Sequence, residues 1–217
     1  MTLKIVGLLK AAHFGPTVIV VTTSFILALS QYSAAGSARI AVAIFAGQLV
    51  VGWSNDLIDL PRDRAAQRIK KPLVRGSITS VLLAKSIWVA ATAALILSLL
   101  SPLGIRGTLI HFLGLLSATI YNLKLKSTVY SPLPYIISFG AMPWAIYISK
   151  GDTPPFWLYS GFALFALAFH FLNVIKDLKW DIDQGVLGLP QRIGRNKSAI
   201  VAIALVAAGV LDLLLLR

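Results

Sequence analysis

Residues 41–63 read Ala41-Val-Ala-Ile-Phe-Ala-Gly-Gln-Leu-Val-Val-Gly-Trp-Ser-Asn55-Asp56-Leu-Ile-Asp59-Leu-Pro61-Arg-Asp63. An uncharged, apolar run passes without a break into a patch rich in carboxylates. A second copy of its polar pattern, Asn-x3-Asp-x3-Asp, recurs as Asn173, Asp177 and Asp181. The chain has eight acidic residues and no glutamate; six of them (Asp56, Asp59, Asp63, Asp177, Asp181, Asp183) lie in or beside the two copies. Acid is concentrated, and always at the end of an oily segment.

Composition defines the class. Hydrophobic residues make up 57% and charged residues 13%, with mean hydropathy +0.81. A soluble domain carries roughly twice that charged share, so the chain is expected to be an integral membrane protein. Apolar segments near the roughly 20 residues needed to cross a bilayer fall at 15–33, 38–54, 81–100, 104–122, 131–149, 155–175 and 198–216. The expected fold is therefore all-α: a polytopic transmembrane helical bundle of about seven helices.

Charge orients it. With a cytoplasmic N-terminus, one side receives Lys4, Lys10, Arg62, Arg64, Arg68, Lys70, Lys71, Arg75, Lys85, Lys124, Lys126, Lys176, Lys179, Arg192, Arg195 and Lys197. The other receives only Arg39, Arg106, Lys150 and Arg217. That bias follows the positive-inside rule and assigns both acidic patterns to the cytoplasmic face. The net charge of +12 does not indicate nucleic acid, because the bases lie in loops flanking the spans and form no patch on a folded domain. Anionic membrane lipid is the partner that fits them. No cysteine is present, which excludes disulfides and thiolate metal sites. The first apolar run is long enough to remain a span and carries no cleavage pattern.

On a helix, positions i, i+4 and i+8 drift only slightly around the axis, so each pattern lines one face with oxygen ligands. Pro61 is expected to end or kink the first helix and leave Asp63 on a turn. Carboxylate and amide oxygens are hard ligands suited to Mg2+, which is commonly shared between one or two carboxylates and a substrate phosphate. Asn55, Asp59 and Asp63 make one metal station, and Asn173, Asp177 and Asp181 a second. A lone aspartate at a span end normally solvates the helix end or pairs with a lysine; two matched clusters there point to function. Arg68, Lys71 and Arg75 follow the first cluster, Lys124 and Lys126 the fourth span, and Arg192 and Arg195 the second cluster. Carboxylates, metal and bases together suit a diphosphate.

The stretch Asn55-Asp56-Leu-Ile-Asp59-Leu-Pro-Arg-Asp63, continuing through Arg68 and Lys71-Pro72-Leu73 to Gly76, resembles the NDxxDxxxD signature of UbiA-type intramembrane prenyltransferases. Asp177-Leu-Lys-Trp-Asp181-Ile-Asp-Gln-Gly185, closing with Leu189-Pro190-Gln-Arg-Ile-Gly194, is similar to that family's second aspartate motif. Tyr121-Asn-Leu-Lys-Leu-Lys126 resembles its Tyr-x3-Lys loop, here with the spacings Tyr-x2-Lys and Tyr-x4-Lys, at Lys124 and Lys126. The order holds over residues 10 to 217.

The resemblance implies one prenyltransferase domain over 1–217, with cytoplasmic cap loops over a central cavity in a prokaryotic-type plasma membrane. It implies Mg2+-dependent transfer of a prenyl group from a prenyl diphosphate to a small, aromatic acceptor. Asn55, Asp59 and Asp63 would serve one metal, Asp177 and Asp181 the other, and Arg68, Lys71, Lys124 and Lys126 the diphosphate. An allylic carbocation kept from water could rest against an aromatic face, and Tyr121 is the candidate. Relatives commonly have nine helices, so two are expected to be absent or supplied otherwise. Several relatives carry Arg-Pro near an acceptor carboxylate, where this chain has Ala12-His13-Phe14-Gly15-Pro16; His13 is the candidate for binding the acceptor. His111 and His170 are read as packed within spans, Asp212 as lying near the outer interface, and Trp53, Trp144, Trp157 and Trp180 as an aromatic belt.

Two other classes compete. A terpene cyclase on the same scaffold would ionise the same substrate and quench the cation internally, without an acceptor. A transporter would place acids near mid-membrane on broken helices, whereas these acids sit at span ends.

Overall fold

A computed structural model describes residues 2–216; Arg217, one of the bases assigned to the outer side, lies outside the described residues. Among the described residues the chain is all-helical, with one 3-10 turn and no strand. Each of the seven segments read as a span is a helix. The chain divides into two compact units, residues 1–108 and 109–217.

The first unit holds α1 (Thr2–Ala11), α2 (Phe14–Leu29), α3 (Ala34–Ala65), α4 (Pro72–Arg75) and α5 (Ser80–Leu100). Side-chain oxygens start the two long helices: Ser33 accepts the Gly36 N–H and Thr79 the Leu82 N–H, each satisfying a donor that the first turn leaves open. The α3 face toward the interior is made of small residues (Ala41, Ala43, Ala46, Gly47), and α5 answers with Ala90, Ala94 and Ser98. In a bilayer, where oil does not drive helices together, such small residues allow close backbone packing. The opposite face of α5 presents Trp88, Val89 and Leu100, all strongly exposed, as a lipid-facing surface requires.

Between α1 and α2 the chain bends by 66°. His13 forms the corner in the left-handed region, φ 50° and ψ 59°, a conformation that costs a residue with a Cβ about 1–2 kcal/mol. Three contacts hold the corner. Thr17 Oγ1 donates to the Ala12 carbonyl at 2.8 Å, Trp53 Nε1 donates to the Leu8 carbonyl at 2.9 Å, and Gly52 presses on Ala12. Trp53 is thus buried beside Ala11, Ala12 and Leu60 and does not join an interfacial belt; its indole N–H found a carbonyl partner inside the unit. A Cβ at position 52 would lie 2.9 Å from the Ala12 carbonyl oxygen. Gly52→Ala is therefore expected to destabilise the protein by about 1–3 kcal/mol, the range for overpacking a tight contact, seen as a lower melting temperature in detergent.

Helix α6 (Gly104–Leu123) contains the boundary between units. The second unit continues with a 3-10 turn (Leu125–Ser127), α7 (Leu133–Ile148), α8 (Phe156–Asp183), α9 (Leu189–Ile193) and α10 (Arg195–Leu215). Helices α8 and α10 pack through Gly161 and Gly209, the latter against the Phe165 ring, and Ser160 Oγ donates to Asp212 at 2.9 Å. An acid near the end of α10 is thereby hydrogen-bonded to α8. Among the described residues, α3, α5, α8 and α10 are each long and apolar enough to cross a membrane, and the bent pair α1–α2 is apolar enough only when taken together, as a broken span or a re-entrant loop. Helix α7 is apolar but shorter, at 16 residues. The protein is an integral membrane protein.

Candidate active site

The first acidic pattern lies wholly on α3. Pro61 neither ends the helix nor puts Asp63 on a turn: α3 continues to Ala65. A proline removes its own N–H bond to the carbonyl four residues back and crowds that carbonyl, and at position 61 this disturbance falls little more than one turn from the helix end. Asn55, Asp56, Asp59 and Asp63 therefore share one rigid scaffold. Asp56 and Asp63, seven residues apart and so nearly in line along the axis, are the buried pair at 2% and 5% exposure, while Asn55 and Asp59 flank them half-buried.

Each carboxylate of this cluster meets a cation. Asp59 pairs with Arg62 one turn on, both side chains half-buried. Asp63 Oδ1 lies 3.4 Å from Arg68 Nη1. The chain reverses to make this contact: Gln67 adopts φ 49°, and the Arg68 N–H donates to the Asp63 carbonyl at 2.9 Å. Asp56 Oδ1 receives both His13 Nε2, at 2.8 Å, and the Lys71 ammonium. Lys71 and His13, read separately from the sequence as diphosphate and acceptor contacts, thus meet on one oxygen of an acid to which no separate role was assigned. Arg68 is brought to the cluster as expected from its position. Among the described residues, no three acids or histidines gather at metal-holding distance.

The second pattern occupies the last turns of α8. Asp177 is exposed, Asn173 and Asp181 are half-buried, and Asp183 is exposed at the helix end. Gly185, at φ 73°, turns the chain, and the Val186 N–H donates to the Asp181 carbonyl at 2.8 Å. The following segment folds back so that Gln191 Nε2, from α9, donates to Asp181 Oδ2 at 2.8 Å. Gly188 makes this possible. It sits against the Lys126 carbonyl, Gln191 Oε1 and Ser131 Oγ, where no Cβ fits. Ser131 Oγ accepts the Leu189 N–H at 3.1 Å and lies 3.3 Å from His170 Nε2. Lys126 lies on the 3-10 turn and Lys124 is exposed just before it.

Tyr121 ends up within an aromatic group. Its ring stands edge-on to Tyr135 (centroids 5.3 Å) and to His170 (5.9 Å), and Tyr135 lies 4.4 Å from His170. Such pairs favour offset and edge-to-face geometry. His170 is fully buried and its Nδ1 has no partner among the described residues. In the same unit α6, α7 and α8 line an open apolar crevice of about 260 Å3, walled by Ile110, Leu113, Ile137, Trp144 and Tyr159. Asp56 carries the internal contacts of the first cluster, and Gln191, Ser131 and His170 those of the second. Gln191 stands inside the Leu189–Gly194 motif, and Asp56 inside the first one; for Ser131 no local pattern marks the role.

Fold and site together define a helical membrane protein with Asn/Asp-rich helix ends. The UbiA prenyltransferase family matches residues 17–217. The chain belongs to that family and is a prenyltransferase. No curated protein matches it. Among solved structures, a UbiA homolog from Archaeoglobus fulgidus bound to GPP and Mg2+ superposes with a TM-score of 0.79 at 14% identity, covering 95% of this chain and 76% of that one. A digeranylgeranylglyceryl phosphate synthase gives 0.70 at 20% identity, over 96% and 76%. An apo UbiA homolog from Aeropyrum pernix K1 gives 0.69 at 18% identity, with the same coverage. At these identities the likeness is one of fold.

Proposed function

We propose that this chain acts as one domain that transfers a prenyl group from a prenyl diphosphate to an aromatic acceptor at the cytoplasmic rim of a plasma membrane. The observation that carries the reading is the pair of Asn-x3-Asp-x3-Asp patterns, each on the terminal turns of a long apolar helix, in a chain of this family. Relatives of the same fold are described as bound to GPP or DMAPP with Mg2+. Sixteen of the twenty bases in the sequence fall on the side assigned to the acids, which supports a cytoplasmic site.

The donor set suits magnesium. It is all oxygen, from Asn55, Asp59 and Asp63 on α3 and from Asn173, Asp177 and Asp181 on α8, with no sulfur or imidazole that would favour a softer metal. The present partners of the first set can give way: Arg62, beside Asp59, is about a third exposed at 32% and can turn to water, and the Asp63–Arg68 contact is long. Bound there, magnesium would supply positive charge against the diphosphate oxygens. Arg68, Lys124 and Lys126 neutralise what charge remains on the leaving diphosphate, and Lys71 contributes through its position beside Asp56. As the allylic C–O bond lengthens, Tyr121 presents an aromatic face to the carbon that becomes cationic. The acceptor ring attacks, and loss of its proton restores aromaticity.

The test is incubation of the purified protein in detergent with radiolabelled geranyl diphosphate, Mg2+ and a lipid extract of the host, followed by identification of the labelled product. Transfer that stops with EDTA and returns with Mg2+ is expected. Activity surviving EDTA would sink the reading, and labelled hydrocarbon or alcohol formed without extract would replace it with a cyclase.

A further inference from the structure

The corner between α1 and α2 carries a dyad that neither acidic pattern requires. Asp56 is 2% exposed, whereas the His13 side chain is 38% exposed. The carboxylate is a buried anchor and the imidazole stands at the edge of the unit. An ionised carboxylate only accepts, so the ring donates from Nε2 to Asp56 Oδ1. In the neutral tautomer this leaves the lone pair on Nδ1. A buried acid that fixes tautomer and ring orientation is the arrangement that makes a histidine a working base. Lys71, on the same oxygen, supplies the countercharge that a buried carboxylate needs.

The surrounding backbone keeps the ring in place. His13 holds a left-handed conformation, a strain that persists only where neighbours over-determine it. Here Gly52, Trp53 and Asp56, successive contacts along about one turn of α3, hold Ala12, Leu8 and His13. Asp56 precedes Asp59 by three residues, a rise of roughly 4.5 Å along the helix, so the ring stands next to the first acidic cluster.

From this we infer that His13 is a catalytic base, with Asp56 as its positioning residue, and that the acceptor is a phenol whose hydroxyl proton His13 takes. The inference rests on the prenyltransferase reading. As Nδ1 takes the hydroxyl proton, the O–H electron pair enters the ring. A ring carbon then bonds to the prenyl carbon, whose C–O bond breaks with its pair leaving on the diphosphate. The displaced ring proton goes to water, and the imidazolium returns its proton to the oxygen.

The experiment pairs three phenols (4-methylphenol, 4-hydroxybenzoate and 1-naphthol) with their methyl ethers as probe acceptors, using the full chain, Mg2+ and radiolabelled geranyl diphosphate. Transfer to at least one phenol and to no ether is expected. His13→Gln keeps a donor for Asp56 but has no basic nitrogen; it is expected to lower kcat about 10²–10³-fold, within the range for general base catalysis, with KM for geranyl diphosphate unchanged. Added imidazole restores turnover to His13→Ala. Asp56→Asn, which strands Lys71 and can fail to fold, is expected to lower kcat less if it folds; His13→Gln, at a half-exposed position, decides without it. Full turnover in His13→Gln, equal transfer to the ethers, or diphosphate release with transfer to no phenol overturns the inference while leaving the prenyltransferase reading intact. No diphosphate release under any condition removes both.

Discussion

Asp59→Asn is expected to lower prenyl transfer about 10²–10⁴-fold, the loss that follows from several kcal/mol of missing charge stabilisation, while the melting temperature stays near that of the wild type. The two halves of this expectation come from different places. Asp59 pairs with Arg62 within one half-buried turn of α3, and an ion pair between neighbours three apart on a helix contributes only about 0.2–0.5 kcal/mol to stability. The amide is nearly the same shape and keeps the helix intact, but it carries no charge. Its neighbours on the same helix are less informative. Asp56→Asn leaves Lys71 beside a neutral group in a buried site, and Asp63→Asn does the same to Arg68, so their losses would mix folding with chemistry. Asp177→Asn, at an exposed position, should match Asp59→Asn. Both are read by label transfer and thermal unfolding on one preparation, and full turnover in either at saturating Mg2+ would remove that residue from the reaction.

The second large effect is steric. Gly188→Ala places a Cβ 2.6 Å from the Lys126 carbonyl oxygen, 2.7 Å from Gln191 Oε1 and 2.9 Å from Ser131 Oγ. The first of these belongs to backbone and cannot swing aside. Ser131 is itself held by the Leu189 N–H and by His170. The segment after Gly185 must therefore lift, taking Gln191 away from Asp181. A destabilisation of about 1–3 kcal/mol is expected from the overpacking alone, together with lost transfer as Asp181 and the Lys126 turn lose their mutual alignment. Gly15→Ala serves as control, since nothing lies within 4 Å of the added methyl and alanine favours a helix over glycine by about 1 kcal/mol. Equal melting temperatures for the two variants would mean that Gly188 is not a packing constraint.

Much of this was legible along the chain, because periodicity and hydropathy are local. Apolar runs located seven of the ten helices among the described residues, and four-residue spacing put Asn55, Asp59 and Asp63 on one helix face. Two readings failed for physical reasons. Pro61 signals a break, yet α3 tolerates it because little helix remains to be disrupted beyond it. Trp53 has the position of a belt residue, yet its partner is the carbonyl of Leu8. The pairing of His13 with Asp56, across 43 residues, and of Ser131 with His170, across 39, had no sequence signal. Spacing tells which side of a helix a residue takes; it does not tell which distant residue will face it. His170 carried a polar ring into a span, and the structure gives that ring the tyrosines 121 and 135 and a serine as neighbours.

Helix α3 has 32 residues and α8 has 28, lengths of roughly 48 and 42 Å at 1.5 Å per residue against a hydrocarbon layer of about 30 Å. Each rod outreaches the oil by more than two turns, and on each the overhang is where the aspartates stand. A molecule with an ionic head and a greasy tail can then lie along a single rod without dragging its charge through lipid or its tail through water. In the proposed reaction, spent diphosphate would depart by the wet end while the prenylated product stayed in lipid.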